Sequence, residues 1–489
     1  MSTYKFKTKP FKHQVEALKK AKDLPGFGFF MEMGTGKSKV LLDNIGILFC
    51  EQKLNFAIII APKGVYRTWV ENEIPRHLPD YIPRRIIRWS ANPTKKQLEE
   101  INSVKDFFSG LTLFVMNVES FSTLKGKKVG EYLARTFGQR GMIAIDESTS
   151  IKNHKAKRTK TLLNIARSFW FKRILTGSPV TNSPLDLYSQ ITFLGTRLLP
   201  FNNFYSFQAY FSVLQKRSTS THSFTQILGY KNINELTDMI EPFTFRVLKK
   251  DCLDLPPKNY TVRYVNLTST QVDYYNKIKN DAILLLNDDM VSVQSVITQM
   301  LRLQQIISGH LKTDDGDIIT FESNKLNELL QILEEHDGKV IVWSRFRHDI
   351  KEITNQLSKV YGSKSVAAYY GDTSEEERVK IMQTFEDPNS ELKYFVGNPS
   401  TGGYGLTLNQ ADLTIYYSNN FNLAERLQSE DRNHRMNQNK KVTYIDLVCN
   451  DTIDEKIVET LRKKINISAK VLNEEAREWL TITPKKTNR

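Results

Sequence analysis

Continuous apolar runs recur along the chain, each ending in a polar or glycine-rich loop. In the first part these are FAIIIAP (56–62), LTLFVMN (111–117), GMIAIDE (141–147) and FKRILTG (171–177). In the second part KVIVWS (339–344), SVAAYYG (365–371), KYFVGN (393–398), LTIYYS (413–418) and VTYIDLV (442–448) repeat the theme. Unbroken apolar strands separated by amphipathic stretches predict parallel sheets covered on both faces. The chain is therefore expected to be α/β, with two parallel-sheet lobes and helical insertions between them. Between the lobes the pattern changes: FNNFYSFQAYF (201–211) is rich in aromatics, and 270–310 reads as helix. The aromatic stretch is expected to be the core of a small helical insertion rather than a base-stacking platform. The expected division is 1–195 for lobe one, 196–325 for helical protrusions and a bridging segment, 326–465 for lobe two, and 466–489 for a C-terminal helical tail, with TPKKTNR frayed.

Composition narrows the class. A length of 489 residues sets a prior of about three domains. Lys and Arg number 69 against 54 Asp and Glu, a net charge of +15, which favours a polyanionic partner, nucleic acid first. Cys50, Cys252 and Cys449 lie far apart, with neither zinc-site spacing nor a disulfide framework. MSTYKFKTKPFKHQ lacks the apolar core of a signal peptide, and no apolar run approaches the length of a bilayer span. A soluble, intracellular protein without a membrane partner is expected.

Two segments carry chemistry. MEMGTGKS (31–38) follows the apolar FGFF and precedes KVLLDNIGILF, which reads as a helix. Strand, glycine-rich loop and helix form the setting of a phosphate site. Gly34, Thr35 and Gly36 would bring backbone N–H groups to the phosphates of ATP, Lys37 would reach the β- and γ-phosphates, and Ser38 would ligate Mg²⁺. Met31 stands where the usual spacing has its first glycine. Asp146 and Glu147 close the run GMIAI, with Asp146 expected on Mg²⁺ and Glu147 expected to orient and deprotonate the attacking water. About 390 residues after the loop comes QSEDRNHRMNQ, where Gln428, Arg432 and Arg435 have i, i+4, i+7 spacing. That spacing predicts one helical stripe, with two guanidiniums able to clamp developing charge on the γ-phosphate.

Beyond these residues the chain resembles the Swi/Snf-type ATPases of helicase superfamily two, from about Phe11 to about Lys464. FKHQ (11–14) resembles the adenine-recognising glutamine motif, which implies Gln14 as base reader. MEMGTGKS resembles DEMGLGKT, IIAPKGVYRTWVENEI (59–74) a strand-gripping block, and IDESTSIKN (145–153) a DEAH-type box. ILTGSPVTNSPLDLYSQITFL (174–194) resembles LTGTPIQN and its following helix. EPFTFRVLKKDCLDLPPK (241–258) resembles the lobe-bridging block beginning PFMLRRLK, and VNLTSTQVDYYNKI (265–278) continues the match. STGGYGLTLNQADLTIYY (400–417) and QSEDRNHRMNQ (428–438) resemble the last two motifs. The departures are Met31 for Asp, Thr149 for the His of the box, Ser178 for Thr, and Phe421 for Trp.

The resemblance implies two RecA-like lobes, with ATP held by both. Gly405 and Gln428 join the nucleotide-binding set. Candidate nucleic-acid contacts are Lys63, Arg67, Asn117 and Lys152 in lobe one, with the basic run Lys155, Lys157, Arg158 and Lys160. In lobe two they are Ser344, Arg345, Ser400, Thr401 and Gly402, in a loop running to Gly403. The implied activity is ATP-driven translocation on double-stranded DNA, forks or junctions included, to displace a bound protein or remodel a branch. The alternatives are a strand-separating helicase acting on DNA or RNA and an ATP-gated DNA-binding module with little turnover. A monomeric, nearly bare motor is expected, in the cytoplasm or nucleoid of a prokaryote or infected host, or in the nucleus of a eukaryote.

Overall fold

The computed structural model describes residues 4–218, 223–287, 293–402, 406–435 and 438–472. Seventeen strands occur among them. In chain order these are β1 (Gly26–Met31), β2 (Phe56–Ala61), β3 (Arg84–Arg88), β4 (Leu111–Asn117), β5 (Gly141–Asp146), β6 (Phe171–Leu175), β7 (Ser212–Ser218), β8 (Ser223–Tyr230) and β9 (Thr244–Val247). Then follow β10 (Lys258–Val265), β11 (His310–Lys312), β12 (Ile318–Thr320), β13 (Lys339–Trp343), β14 (Val366–Tyr369), β15 (Tyr394–Gly397), β16 (Ala411–Tyr416) and β17 (Val442–Cys449).

The chain forms two compact units rather than three. The first is built mainly on residues up to Leu214 and on Ile227–Asp254, the second mainly on Leu255–Asn466. The first holds a parallel sheet in the order β3-β4-β2-β5-β6-β1-β9. Period-two alternation explains why its central strands are apolar throughout. Phe56, Ile58 and Ile60 enter the core on one face of the sheet, while Ala57, Ile59 and Ala61 enter the core on the other. The second unit holds a parallel sheet in the order β10-β17-β16-β13-β15-β14, with Val340 and Val342 on one face and Ile341 and Trp343 on the other.

The stretch 196–325 is not a unit of its own. The chain passes from one unit to the other after Asp254, and each side contributes an edge strand, β9 to the first sheet and β10 to the second. The stretch is not wholly helical either. Phe204–Phe211 is a helix, with Phe207 and Phe211 buried in the core as the aromatic pattern implies. β7 and β8 then form a two-stranded ribbon, its base closed by Lys231 N–H donating to Phe211 O at 3.0 Å. The 270–310 region contains helices Ser269–Asn287 and Val293–Ser308. A final helix, Ile453–Val471, starts well before residue 466, and the TPKKTNR tail lies outside the described residues. All three cysteines are free thiols, and among the described residues no helix is long and apolar enough to cross a membrane.

Candidate nucleotide and nucleic-acid sites

Strand order assembles the first site. β5, β6 and β1 are neighbours in a parallel sheet, so their carboxyl ends bring three loops side by side, at the edge where open α/β sheets bind ligands. β1 delivers residues 32–36 and helix α1 of this site, Lys37–Cys50. Gly34 and Gly36 have φ of +83° and +87°, the left-handed backbone that leaves successive N–H groups facing one concavity. Gly36 also has no room for a side chain, since an added Cβ would lie 2.2 Å from Gln14 Nε2. Met31 is buried at the end of β1 opposite Val247, so the departure from glycine falls in the strand and leaves the loop itself unchanged. Lys37, Ser38 and the glycines keep the solvent access that a phosphate and its metal need.

β5 ends at Asp146, whose Oδ2 accepts the Trp69 indole N–H at 2.9 Å and whose Oδ1 accepts the Glu147 N–H at 3.1 Å. Burial pushes this carboxyl above its usual range, against the pull of the Lys37 ammonium and of the two N–H donors. A buried carboxylate beside a lysine, with Ser38 opening the adjacent helix, is the donor set that would hold Mg²⁺. Glu147 has φ +52°, a left-handed conformation that costs a non-glycine residue on the order of 1 kcal/mol. Its Oε2 accepts the Thr176 hydroxyl at 3.3 Å, and Thr176 Oγ1 in turn accepts the Ser178 N–H at 3.2 Å. The sequence reading missed Trp69 and Thr176. Trp69 opens a π-helical turn, Trp69–Glu73, a distortion found often at functional sites.

Gln14 has a structural occupation that its motif does not state. It is buried, its Nε2 donates to Thr35 O at 3.0 Å, and its Oε1 accepts the Phe11 N–H at 3.0 Å. His13 Nε2 meets the same Thr35 carbonyl at 2.9 Å. Both side chains therefore prop the phosphate loop from behind.

In the second unit the expected helical stripe is corrected. The helix carrying Gln428 spans Leu423–Glu430, so Arg432 and Arg435 lie past its end. Backbone pairing with a neighbouring loop draws the chain out of the helix, since Leu408 N–H donates to Arg432 O at 2.9 Å. The two guanidiniums still converge: Arg432 and Arg435 donate to Leu406 O at 3.2 and 3.1 Å, and Arg435 also reaches Thr407 Oγ1 at 3.0 Å. Glu430, between them and Gln428 in sequence, is bound within the same unit. It accepts from Arg426 at 2.9 Å, Lys258 at 3.0 Å and Tyr260 at 2.7 Å. Burial alone would raise this carboxyl, but Lys258 and Arg426 hold it down to about 2. Gly405 lies outside the described residues, and Gln428 is half-buried.

The nucleic-acid candidates divide. Lys63 and Arg67 are exposed, Arg67 with Glu71 at 3.4 Å, and Lys155, Lys157 and Lys160 face solvent. Asn117 instead caps a turn, its Oδ1 accepting Ser120 N–H at 2.9 Å and the Ser120 hydroxyl at 2.6 Å. Lys152 is turned onto the loop after β6, donating to Thr181 Oγ1 at 2.5 Å, with burial lowering its pKa and Asp186 opposing. Arg158 is likewise occupied, its Nε donating to Ser150 O at 2.8 Å. Ser344 is fully buried and donates to Asp349 Oδ2 at 2.8 Å, which removes it as a phosphate contact. Arg345 is half-buried against Gln304. It lines a hollow of about 220 Å³ with Asn398, Ser400 and Ser418, the residues following β13, β15 and β16. Thr401 and Gly402 belong to the short turn Pro399–Gly402 at its rim.

Comparison with known proteins identifies the family. The family model described as SNF2-related domain matches residues 20–310, and that of the helicase conserved C-terminal domain matches 324–437. The chain belongs to the SNF2-related family. It is 24% identical over 463 residues to the "ISWI chromatin-remodeling complex ATPase CHR17" of Arabidopsis thaliana, covering 91% of this chain and 40% of that protein. It is 26% identical over 464 residues to the "ISWI chromatin-remodeling complex ATPase ISW1" of Saccharomyces cerevisiae, covering 91% and 38%. The chain thus spans about two fifths of the length of the curated relatives it matches. Among solved structures, the "Sulfolobus solfataricus SWI2/SNF2 ATPase core in complex with dsDNA" is similar at 22% identity and a TM-score of 0.42, over 99% of this chain and 97% of that one.

Proposed function

We propose that this SNF2-family chain is a nucleic-acid-stimulated ATPase that moves along double-stranded DNA. The observation that carries the reading is the meeting, on one sheet edge, of the glycine loop with Lys37 and Ser38, the buried Asp146, and Glu147 held by Thr176. ATP would be gripped by the N–H groups of residues 34–38 and by Lys37. Mg²⁺, held by Ser38 and Asp146, would supply charge neutralisation between the phosphates. Glu147 would take the proton of the attacking water, its left-handed backbone turning the carboxylate off the strand. Arg432 and Arg435, already sharing the Leu406 carbonyl, would supply the cationic clamp from the second unit. The clamp and the base belong to different units, and alternating grips on the DNA backbone coupled to turnover would give stepping. Lys63, Arg67 and the rim of the Arg345 hollow remain the best contacts on the two units. Binding through phosphates would be insensitive to sequence and steeply dependent on salt.

The test is steady-state ATP hydrolysis without nucleic acid and with single-stranded DNA, duplex DNA or RNA. Strong stimulation by duplex over the others supports the translocase. Stimulation chiefly by single strands or RNA would move the assignment to a helicase, and absence of turnover with all of them would leave a nucleotide-gated binder.

A further inference from the structure

The segment expected to bridge the lobes also builds one wall of the nucleotide loop. β9 runs parallel to β1, with Arg246 opposite Phe30 and Val247 opposite Met31. The ladder continues into the loop, where Glu32 N–H donates to Val247 O at 3.0 Å. From β9 the Arg246 Nη1 donates to two carbonyls, Phe30 O at 3.1 Å and Gly177 O at 2.9 Å. Phe30 leads into the phosphate loop. Gly177 follows Thr176, whose hydroxyl holds the Glu147 carboxylate. One residue group later, Lys249 N–H donates to Glu32 Oε2 at 2.7 Å, and Glu32 O accepts both the Thr35 N–H at 3.3 Å and the Thr35 hydroxyl at 2.7 Å. The two loops abut here: a Cβ added to Gly177 would lie 3.3 Å from Met33 N and 3.5 Å from Glu32 Cα.

We propose that Arg246 is a positioning residue for ATP hydrolysis. It holds the phosphate loop and the Thr176–Ser178 loop in register, with the Glu32–Lys249 hydrogen bond as a second tie. The inference rests on the ATPase reading above. Its physical content is a separation of two tasks. The phosphate loop keeps its own shape through Gln14 and His13 on Thr35 O, contacts that do not pass through Arg246. The Glu147 carboxylate is held by the Thr176 hydroxyl; Thr176 itself is tied to β1 by its N–H on Phe29 O at 3.2 Å, and the guanidinium fixes the next residue, Gly177. A planar guanidinium suits this task, because one nitrogen can serve two carbonyls while the rest of the group stays fixed. Loss of Arg246 should therefore leave nucleotide binding largely in place and misalign the base. The same strand precedes the passage of the chain into the second unit after Asp254, so the tie lies on the covalent route between the units.

The experiment compares wild type, Arg246→Ala and Arg246→Lys by kcat, by the Kd of a non-hydrolysable ATP analogue, and by thermal melting. Arg246→Ala should lower kcat roughly 10- to 100-fold, the effect of an ångström-scale misplacement. The analogue Kd should stay within about threefold, and Arg246→Lys should recover part of the lost kcat, a split that a general loss of fold does not produce. Unchanged kcat in Arg246→Ala, or parallel loss of affinity and kcat without rescue by lysine, overturns the inference. If Arg246→Ala does not fold, Arg246→Lys carries the test: reduced kcat with retained affinity supports the role, and unchanged kcat refutes it. A wild-type protein without turnover would remove the ATPase reading and this inference together, whereas normal wild-type turnover with an unaffected Arg246→Ala removes this inference alone.

Discussion

Gln14 separates what its motif implies from what its contacts do, and Gln14→Ala measures the difference. A residue that only read adenine would leave the nucleotide-free protein unaffected. Here the side chain is 2% exposed and spends Nε2 on Thr35 O and Oε1 on Phe11 N–H, each at 3.0 Å. Each such bond is worth about 1 kcal/mol net. Thr35 O keeps His13 Nε2, and Phe11 is exposed enough for its N–H to hydrate, so neither group bears the full penalty of an orphaned buried atom. The loss of buried methylenes, each worth about 0.8 kcal/mol, brings the total to roughly 2–4 kcal/mol. For a unit of this size that lowers the nucleotide-free melting temperature by about 4–16 °C. The assay is thermal melting without ligand, paired with KM for ATP and GTP. The amide retains one N–H and one lone pair beyond its two bonds, so loss of discrimination between the bases would fit both roles. A melting temperature equal to wild type would refute the structural role and leave base reading alone.

The other predictions concern the reaction and the second unit. Glu147→Gln should bind the nucleotide with near-normal affinity and lose turnover by at least about 100-fold, the range of a lost general base; wild-type turnover in this variant would place the base elsewhere. Arg435→Ala should likewise bind ATP nearly normally, measured by equilibrium titration, with kcat reduced about 10³-fold or more if it acts as an arginine finger. Glu430→Gln should destabilise the protein at pH 7 by about 1.5–3 kcal/mol, since it takes the carboxylate from Lys258 and one of the two from Arg426, which keeps Asp446. The wild-type carboxyl is held at about 2, below its unfolded value near 4.5, so its contribution is present above pH 4.5 and is lost as pH falls toward 2. Urea denaturation across that window should show the gap between variant and wild type closing; a constant gap would mean that Glu430 does not titrate as its contacts require.

The parts legible in the sequence share one property: their physics is local or strictly periodic. Central strands such as β2 and β13 are buried on both faces, so composition alone marks them. The phosphate loop is legible because left-handed backbone demands glycine at Gly34 and Gly36, whatever the rest of the fold does. Three of the four edge strands of the two large sheets, β3, β9 and β10, were missed for the opposite reason, while β14 was expected. β3 (RRIIR) is mostly half-buried and β10 alternates between exposed and half-buried positions, so neither forms an unbroken apolar run. Gln428, Arg432 and Arg435 fail differently. Their spacing satisfies a helix, but Glu430 is fixed by Arg426 and Lys258, and the loop at Leu408, well upstream, captures the backbone at Arg432. No window around those residues contains that information.

Ser344 and Lys152 extend the same argument to function. A motif match assigned both to phosphate contact, because a match transfers the place of a residue and not its partners. In this chain Asp349 lies within reach of Ser344, and Thr181 within reach of Lys152, and both side chains turn inward. Trp69 and Arg246 are the converse. Neither was singled out by its residue type, yet one donates to the Asp146 carboxylate and the other to carbonyls of β1 and of the loop after β6. Sheet order explains why such residues accumulate here. With β5, β6, β1 and β9 adjacent, every loop that leaves the carboxyl edge has a neighbour on a different motif, and a donor from one motif can fix the loop or carboxylate of another. The residues that set the geometry of hydrolysis in this protein are then expected among the side chains spanning adjacent strand ends, which is where Trp69, Thr176 and Arg246 stand.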